Sequence, residues 1–167
     1  MNVAFVTSEV VPFSKSGGLA DVCGALPPAL RKLGVDVITV TPLHRSAMNL
    51  PMEEVSVRFS VSIGNEKVHP RVFRSGDTYL IEYAPLFDRE GLYGTGGGSY
   101  ADNAVRYSFF CRAALAFLQE IGLPDVIHAH DWQAGLVPLY SKSLDTKTLF
   151  TVHNLAYQGV FGSDQYE

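Results

Sequence analysis

Three short polar segments hold the residue types that could bind and turn over an anionic or sugar-like ligand. In Lys15-Ser16-Gly17-Gly18-Leu19 a cation precedes two glycines. Where such a string opens a helix, glycine lets the backbone approach an anion closely, and the free N–H groups and dipole of the first turn favour a phosphate. The spacing matches neither the Walker pattern nor GxGxxG, so no nucleotide fingerprint is encoded; a plain glycine turn beside a solvated lysine explains the string equally well. Asp21 follows one helical turn later and either reaches the same helix mouth or complements the dipole from the first turn. The second segment, His128-Ala129-His130-Asp131-Trp132, groups two imidazoles, a carboxylate and an indole. Two residues apart on a strand, His128 and His130 share a face, while Asp131 falls in the loop beyond. With no second HxxxH or CxxC the ligand set is too small for a metal, and none is expected. The third segment is His153-Asn154. His130 and His153 suit either hydrogen-bonded packing or chemistry at a site. Trp132 reads first as a core anchor, whereas Tyr93, amid the glycines of residues 91–98, is the candidate for stacking on a ligand.

The elements that must position these segments alternate between strand and helix. Residues 3–6 are a continuous apolar run, as in a parallel strand covered on both faces, and Pro12, Gly17 and Gly18 break it into a loop. Leu19, Val22, Leu26, Ala29, Leu30 and Leu33 recur at three- and four-residue steps, predicting a helix from Gly18 that closes at Gly34. Residues 35–40 supply the next strand, ending at Pro42, and complete the βαβ unit of a Rossmann-like sheet. Val55, Val57, Phe59, Val61 and Ile63 alternate with polar residues, and residues 68–73 and 79–83 are further strand candidates, so a β-meander or edge insertion is expected. The glycines of residues 91–98 predict a mobile loop that orders on ligand. Asp102 or its neighbour is expected to cap a deeply packed helix running to Ile121. Residues 126–129 then read as a buried strand, 132–140 as a short helix and 148–152 as a last strand. Ligands of open parallel sheets bind beyond the carboxyl ends of the strands, so all three polar segments are expected at one rim.

With 167 residues, 47% hydrophobic and 18% charged, the chain predicts one globular α/β domain over residues 1–167, a three-layer sandwich with a parallel core sheet. The net charge of −4 comes from interspersed acids and bases, which argues against a nucleic-acid partner. Cys23 and Cys111 lack CxxC spacing and read as reduced packing residues of a cytoplasmic protein. No leader and no apolar run of about 18 residues is present, so neither export nor a membrane is expected. The chain ends soon after His153 without a closing helix, which reads as a truncation.

Five strings in order carry a resemblance: Lys15 to Val22 (KSGGLADV), Leu92-Tyr93-Gly94, Asp102 to Tyr107 (DNAVRY), His128 to Ala134 (HAHDWQA) and Thr151 to Gly159 (TVHNLAYQG). Together they are similar to the N-terminal domain of bacterial and plant-type starch/glycogen synthases. The resemblance implies the first half of a GT-B glycosyltransferase and a retaining transfer of glucose from ADP-glucose to the non-reducing end of an α-1,4-glucan, with no cofactor. It implies that Lys15 and the Gly17 and Gly18 backbone meet the donor diphosphate, with Asp21 close by and Asn154 supporting the donor site. It implies that Asp131 and Trp132 position the acceptor end or transferred glucose, with Tyr93 and Asn103 nearby. His153 would bind that glucose and stabilise positive charge at its anomeric carbon. The family draws further donor contacts from a C-terminal half missing here, so the chain alone is expected to be inactive. Two other readings remain open at this point: a non-catalytic α-glucan-binding module using Tyr93 and Trp132, and a related transferase with another donor nucleotide.

Overall fold

A computed structural model describes residues 1–162. The chain begins with strand β1 (Asn2–Val6), helix α1 (Gly18–Arg31) and strand β2 (Asp36–Pro42). The middle holds β3 (Glu53–Glu54), β4 (Val61–Ile63), β5 (Glu66–Val68), β6 (Arg71–Ser75), β7 (Thr78–Glu82), the short helix α2 (Ala84–Phe87), β8 (Gly94–Thr95) and β9 (Gly98–Ser99). Helix α3 (Asn103–Ile121), β10 (Val126–His130), the short helix α4 (Val137–Tyr140) and β11 (Lys147–Thr151) follow. Seven strands form one sheet in the order β11-β10-β1-β2-β7-β6-β3. The five from β11 to β7 are parallel, and β6 and β3 extend that sheet antiparallel.

Alternation along the central strands explains the layers, because successive side chains of a strand face opposite ways. Ala4 and Val6 of β1, with Val40, Ile81 and Ile127, pack against Phe110, Phe117 and Leu118 of α3. Val3 and Phe5 face the other way, with Val37 and Leu80, onto Leu19 and Cys23 of α1. Phe110, Phe117 and Leu118 are all 0% exposed, and burying each contributes about 1.5–3 kcal/mol. The parallel core sheet between two helical layers is the three-layer α/β sandwich expected.

Several local expectations are corrected. Helix α1 closes at Arg31, and Val22 and Leu33 are exposed, so the buried stripe is narrower than the spacing predicted. Gly34 still turns the chain at φ 83°, where glycine has no Cβ penalty. Residues 55–60 are not a strand; the alternation there is half-buried coil, and the run at 68–73 is cut into β5 and β6 around Pro70, which has no N–H to give a ladder. β4 and β5 pair only with each other. The expected helix over 132–140 is a 3-10 turn, Trp132–Ala134, followed by α4. Asp102 stands at the N-cap of α3 but makes no side-chain cap; Arg89 holds both its carboxylate oxygens, Nη1 to Oδ1 at 2.8 Å and Nη2 to Oδ2 at 2.7 Å.

Candidate functional site

β10, β1 and β11 are adjacent and parallel, so the segments that follow them, residues 131–136, 7–17 and 152–161, emerge at the same edge of the sheet. The segment after β1 is pinned at Gly24 of α1, where an added Cβ would lie 2.3 Å from Val11 Cγ2, and Val11 N–H donates to Ala20 O. A side chain at Gly24 would force the Val11 methyl aside.

The organiser of that loop is Glu9, 3% exposed, which the sequence reading did not single out. Its Oε2 accepts the main-chain N–H groups of Ser16 at 2.5 Å and Gly17 at 3.2 Å. Its Oε1 accepts the hydroxyls of Ser16 at 2.7 Å and Tyr93 at 2.5 Å. A carboxylate buried among these four donors is a charge paid for by hydrogen bonds. The Gly17 N–H is thus committed internally, whereas the first-turn amides of α1 beyond it have no intrahelical partner. Among the described residues, and apart from the adjoining backbone, nothing lies within 4 Å of a Cβ built on Gly17 or Gly18. The backbone there is extended at Gly17, φ −155°, so neither packing nor dihedral angle demands glycine, and the space in front is open. Lys15 Nζ bridges Asp21 at 2.6 and 2.8 Å, and both side chains are about half exposed.

Tyr93 corrects the expectation of a mobile glycine loop. β8 and β9 form a tight hairpin around it, Asn103 Nδ2 donates to Tyr93 O at 2.8 Å, and the Tyr93 hydroxyl lies between Glu9 and Ser8. Burial, then Tyr107 and Glu9, push its phenol well above the usual tyrosine range, so it stays neutral. Its ring packs against Tyr107 and Trp132 at centroid distances of 5.8 and 6.1 Å, which leaves it a poor open platform for a sugar. Asn103 is 2% exposed and its Oδ1 accepts from Arg106 at 2.7 Å, so both ends of its amide serve the fold. Arg106, also missed in the sequence, is wholly buried and ties α3 to Leu86 O and Leu92 O.

At the end of β10, Asp131 has φ 57° and ψ 179°, a region that non-glycine residues occupy only under strain of about 1–3 kcal/mol. This conformation lets its main-chain N–H continue the ladder to Thr151 O at 2.9 Å while Oδ1 accepts the His153 N–H at 2.7 Å. His153 Nε2 meets His130 Nδ1 at 2.9 Å, and the two rings stack at 5.2 Å. Burial, then His128 and His153, lower His130 to about 3. His128 Nε2 pairs with Thr151 Oγ1 at 2.7 Å. Trp132 packs edge-on to Tyr107 at 5.0 Å, and Gly159 fits over it: a Cβ there would lie 2.7 Å from the indole. Asn154 is exposed and closes its own turn on Ala156 N–H.

The three sequence segments are therefore joined by continuous contact. Gly17 bonds Glu9, Glu9 bonds Tyr93, Tyr93 packs on Trp132, and Asp131 beside it bonds His153. A hollow of about 280 Å³ at this rim is bordered by Lys15, His44, Arg89 and Leu92. A larger apolar groove of about 680 Å³ lies between α3, α4 and residues 152–161 and is bordered by neither Lys15 nor Glu9, so the polar rim is the better candidate for anion chemistry.

The family model described as starch synthase catalytic domain matches residues 2–167. Glycogen synthase 2 of Geobacter metallireducens is 44% identical over 98% of this chain and 37% of its own length. The glycogen synthase of Myxococcus xanthus is 42% identical over 98% of this chain and 38% of its own. Among solved structures, the catalytic domain of starch synthase IV from Arabidopsis thaliana, bound to ADP and acarbose, superposes with a TM-score of 0.84 at 27% identity, covering 98% of this chain and 36% of that one. The chain spans about a third of the length of these relatives, and its parallel-dominated sheet matches the GT-B glycosyltransferase fold. The chain belongs to the starch synthase catalytic-domain family.

Proposed function

We propose that this chain is the first Rossmann-like half of a glycosyltransferase that moves glucose from ADP-glucose to the non-reducing end of an α-1,4-glucan, with retention at the anomeric carbon. A C-terminal half of the same cytoplasmic protein supplies the opposite wall of the donor site. The observation that carries the reading is the contact path from the Lys15–Gly17 loop through Glu9, Tyr93 and Trp132 to Asp131 and His153. A structural relative bound to ADP and acarbose, a nucleotide and a sugar, supports both ligand classes.

In this reading Lys15 leaves Asp21, with which it forms an exposed pair that holds it weakly. The lysine and the open backbone at Gly17 and Gly18 then face the diphosphate, whose charge grows as the glycosidic bond breaks; fixed donors there stabilise the transition state more than the ground state. Asp131 fixes the His153 backbone, and His153 contacts the glucose being transferred. Asn154 supports the donor side, and Trp132 borders the acceptor end. Tyr93 and Asn103 act through the fold, holding Glu9 and the hairpin in place. The packing of Tyr93 speaks against a mere glucan-binding module, which would need that ring free.

The test is glucose incorporation into glycogen by the full-length protein. Lys15→Ala and His153→Ala are each expected to lower kcat by at least about 100-fold, the order found for removing one transition-state donor. Unchanged turnover in both would overturn the assignment. Competition by ADP against UDP reports the donor base.

A further inference from the structure

We infer that His130 is a positioning residue that holds His153 in the Nδ1–H tautomer, so that this imidazole meets its ligand as a neutral hydrogen-bond donor; the functional part of this rests on the reading of His153 as the sugar-facing residue. His130 is 0% exposed, between the rings of Phe5 at 4.7 Å and His128 at 4.0 Å. Its Nε2 is buried without a hydrogen-bond partner among the described residues, and its Nδ1 stands 2.9 Å from His153 Nε2. One proton must lie between those two nitrogens, since two lone pairs repel and two N–H groups collide.

There are two ways to place it. If His153 donates, neutral His130 carries its own proton on Nε2, leaving a buried donor with no partner among the described residues. Leaving a buried polar group unpaired forfeits its solvation, and orphaned N–H groups are rarer in proteins than under-used acceptors. If His130 donates from Nδ1, its Nε2 is a bare lone pair beside aromatic rings, and no donor is stranded. His153 then accepts at Nε2 and carries its proton on Nδ1, which makes no hydrogen bond among the described residues.

The same geometry opposes a charged His153. An imidazolium needs N–H on both nitrogens, which forces His130 into the stranded-donor form. The ionisable groups around the pair are His128 on β10 and Asp131 just beyond it; β1 presents Phe5 and β11 presents Thr151, which engages His128. Asp131 is occupied by the His153 main-chain N–H. A neutral donor can hold a sugar hydroxyl without adding like charge beside an anomeric carbon that is becoming positive.

The test uses the full-length protein labelled with 15N-histidine, with two-bond proton–nitrogen correlation assigned by His130→Asn and His153→Asn spectra. We expect a protonated Nδ1 and bare Nε2 on both residues at neutral pH. A proton on His130 Nε2, or a doubly protonated His153, overturns the inference. Kinetics gives the second arm: His130→Phe removes the donor, while His130→Asn keeps an amide N–H near the place of Nδ1. His130→Phe should lower kcat roughly 10- to 100-fold with little change in KM, the order found when the partner orienting a metal-bound imidazole is lost, and His130→Asn should restore most of it. Equal losses in both variants, each still folded by circular dichroism, would make His130 merely structural and overturn the positioning role. If the tautomers are as expected but His153→Ala retains turnover, the proposed function fails and the tautomer assignment stands.

Discussion

Glu9→Gln tests whether one buried carboxylate organises the loop that carries Lys15. The two oxygens of Glu9 differ in what they face. Oε2 takes two main-chain N–H groups, from Ser16 and Gly17, which can only donate. Oε1 takes two hydroxyls, from Ser16 and Tyr93, which can turn and accept. The glutamine amide therefore settles with its carbonyl toward the backbone and its NH₂ toward the hydroxyls, and no hydrogen bond is lost outright. What disappears is charge assistance, roughly half the strength of each bond. With charged bonds contributing about 1.5–3 kcal/mol and neutral ones about 1 kcal/mol, the two backbone contacts together lose about 2 kcal/mol. Ser16 and Gly17 are exposed, so water takes their amides once the loop lifts, and the loss falls on loop closure more than on global unfolding. At 1.4 kcal/mol per tenfold, 2 kcal/mol is about 30-fold. Hydrogen exchange of the Ser16 and Gly17 amides should accelerate by about that factor, and KM of the full-length protein for the proposed donor should rise with it while amides of β1 keep their protection. Exchange within about threefold of wild type, a difference under about 0.7 kcal/mol, would refute the role given to Glu9.

Two further outcomes follow from other parts of the rim. Gly17→Ala meets nothing within 4 Å among the described residues beyond the adjoining backbone and needs no unusual dihedral angle, so the thermal midpoint should be unchanged while KM of the full-length protein for the proposed donor rises at least about tenfold, the cost of misplacing some 1.4 kcal/mol of binding; unchanged KM would show that no ligand approaches this backbone. Burial lowers both His44 and His130 to about 3, below the usual 6.5 of a free imidazole. The unfolded chain thus binds more protons between those values, so stability is complete above about pH 6.5 and falls as pH drops, by up to about 1.4 kcal/mol per pH unit for each histidine. Urea denaturation from pH 6.5 to 5, above the range where carboxylates titrate, should show this slope, and His44→Gln should reduce it; a flat wild-type profile would contradict the buried neutral imidazoles.

The strand–helix alternation was legible because a parallel sheet covered on both faces forces apolar runs, continuous at residues 3–6 and interrupted by His128 at 126–129. Helix α3 was legible for the same reason, its length and apolar content leaving no other solution. The middle was not. Alternation at Val55, Val57 and Phe59 predicts a strand, yet beyond one bond from Val55 N–H to Val72 O those residues pack as coil against the α3 side of the core, a tertiary outcome that period-two spacing does not report. The glycine cluster at residues 91–98 misled in the opposite direction. Its glycines serve a close hairpin, in which a Cβ on Gly94 would lie 1.8 Å from Gly98 O, and no freedom of movement follows from them. Tyr93 is accordingly a packed residue, and Asn103 beside it has no free end for a sugar.

The positioning groups were illegible for a single physical reason. Lys15 and His153 stand out by type, but the loop carrying each is held by an acid that grips main-chain N–H groups: Glu9 at Ser16 and Gly17, seven and eight residues on, and Asp131 at His153, 22 residues away. Main-chain donors carry no residue identity, so spacing cannot reveal such pairs. Asp131 supplies the one local trace, and only in three dimensions. Glycine would occupy φ 57° and ψ 179° without strain, but it has no carboxylate. A strained, nearly buried aspartate at a strand end is therefore explained by what its side chain holds. The same argument applied to Glu9, a charge 3% exposed in an otherwise uncharged segment, identifies the second acid of the rim.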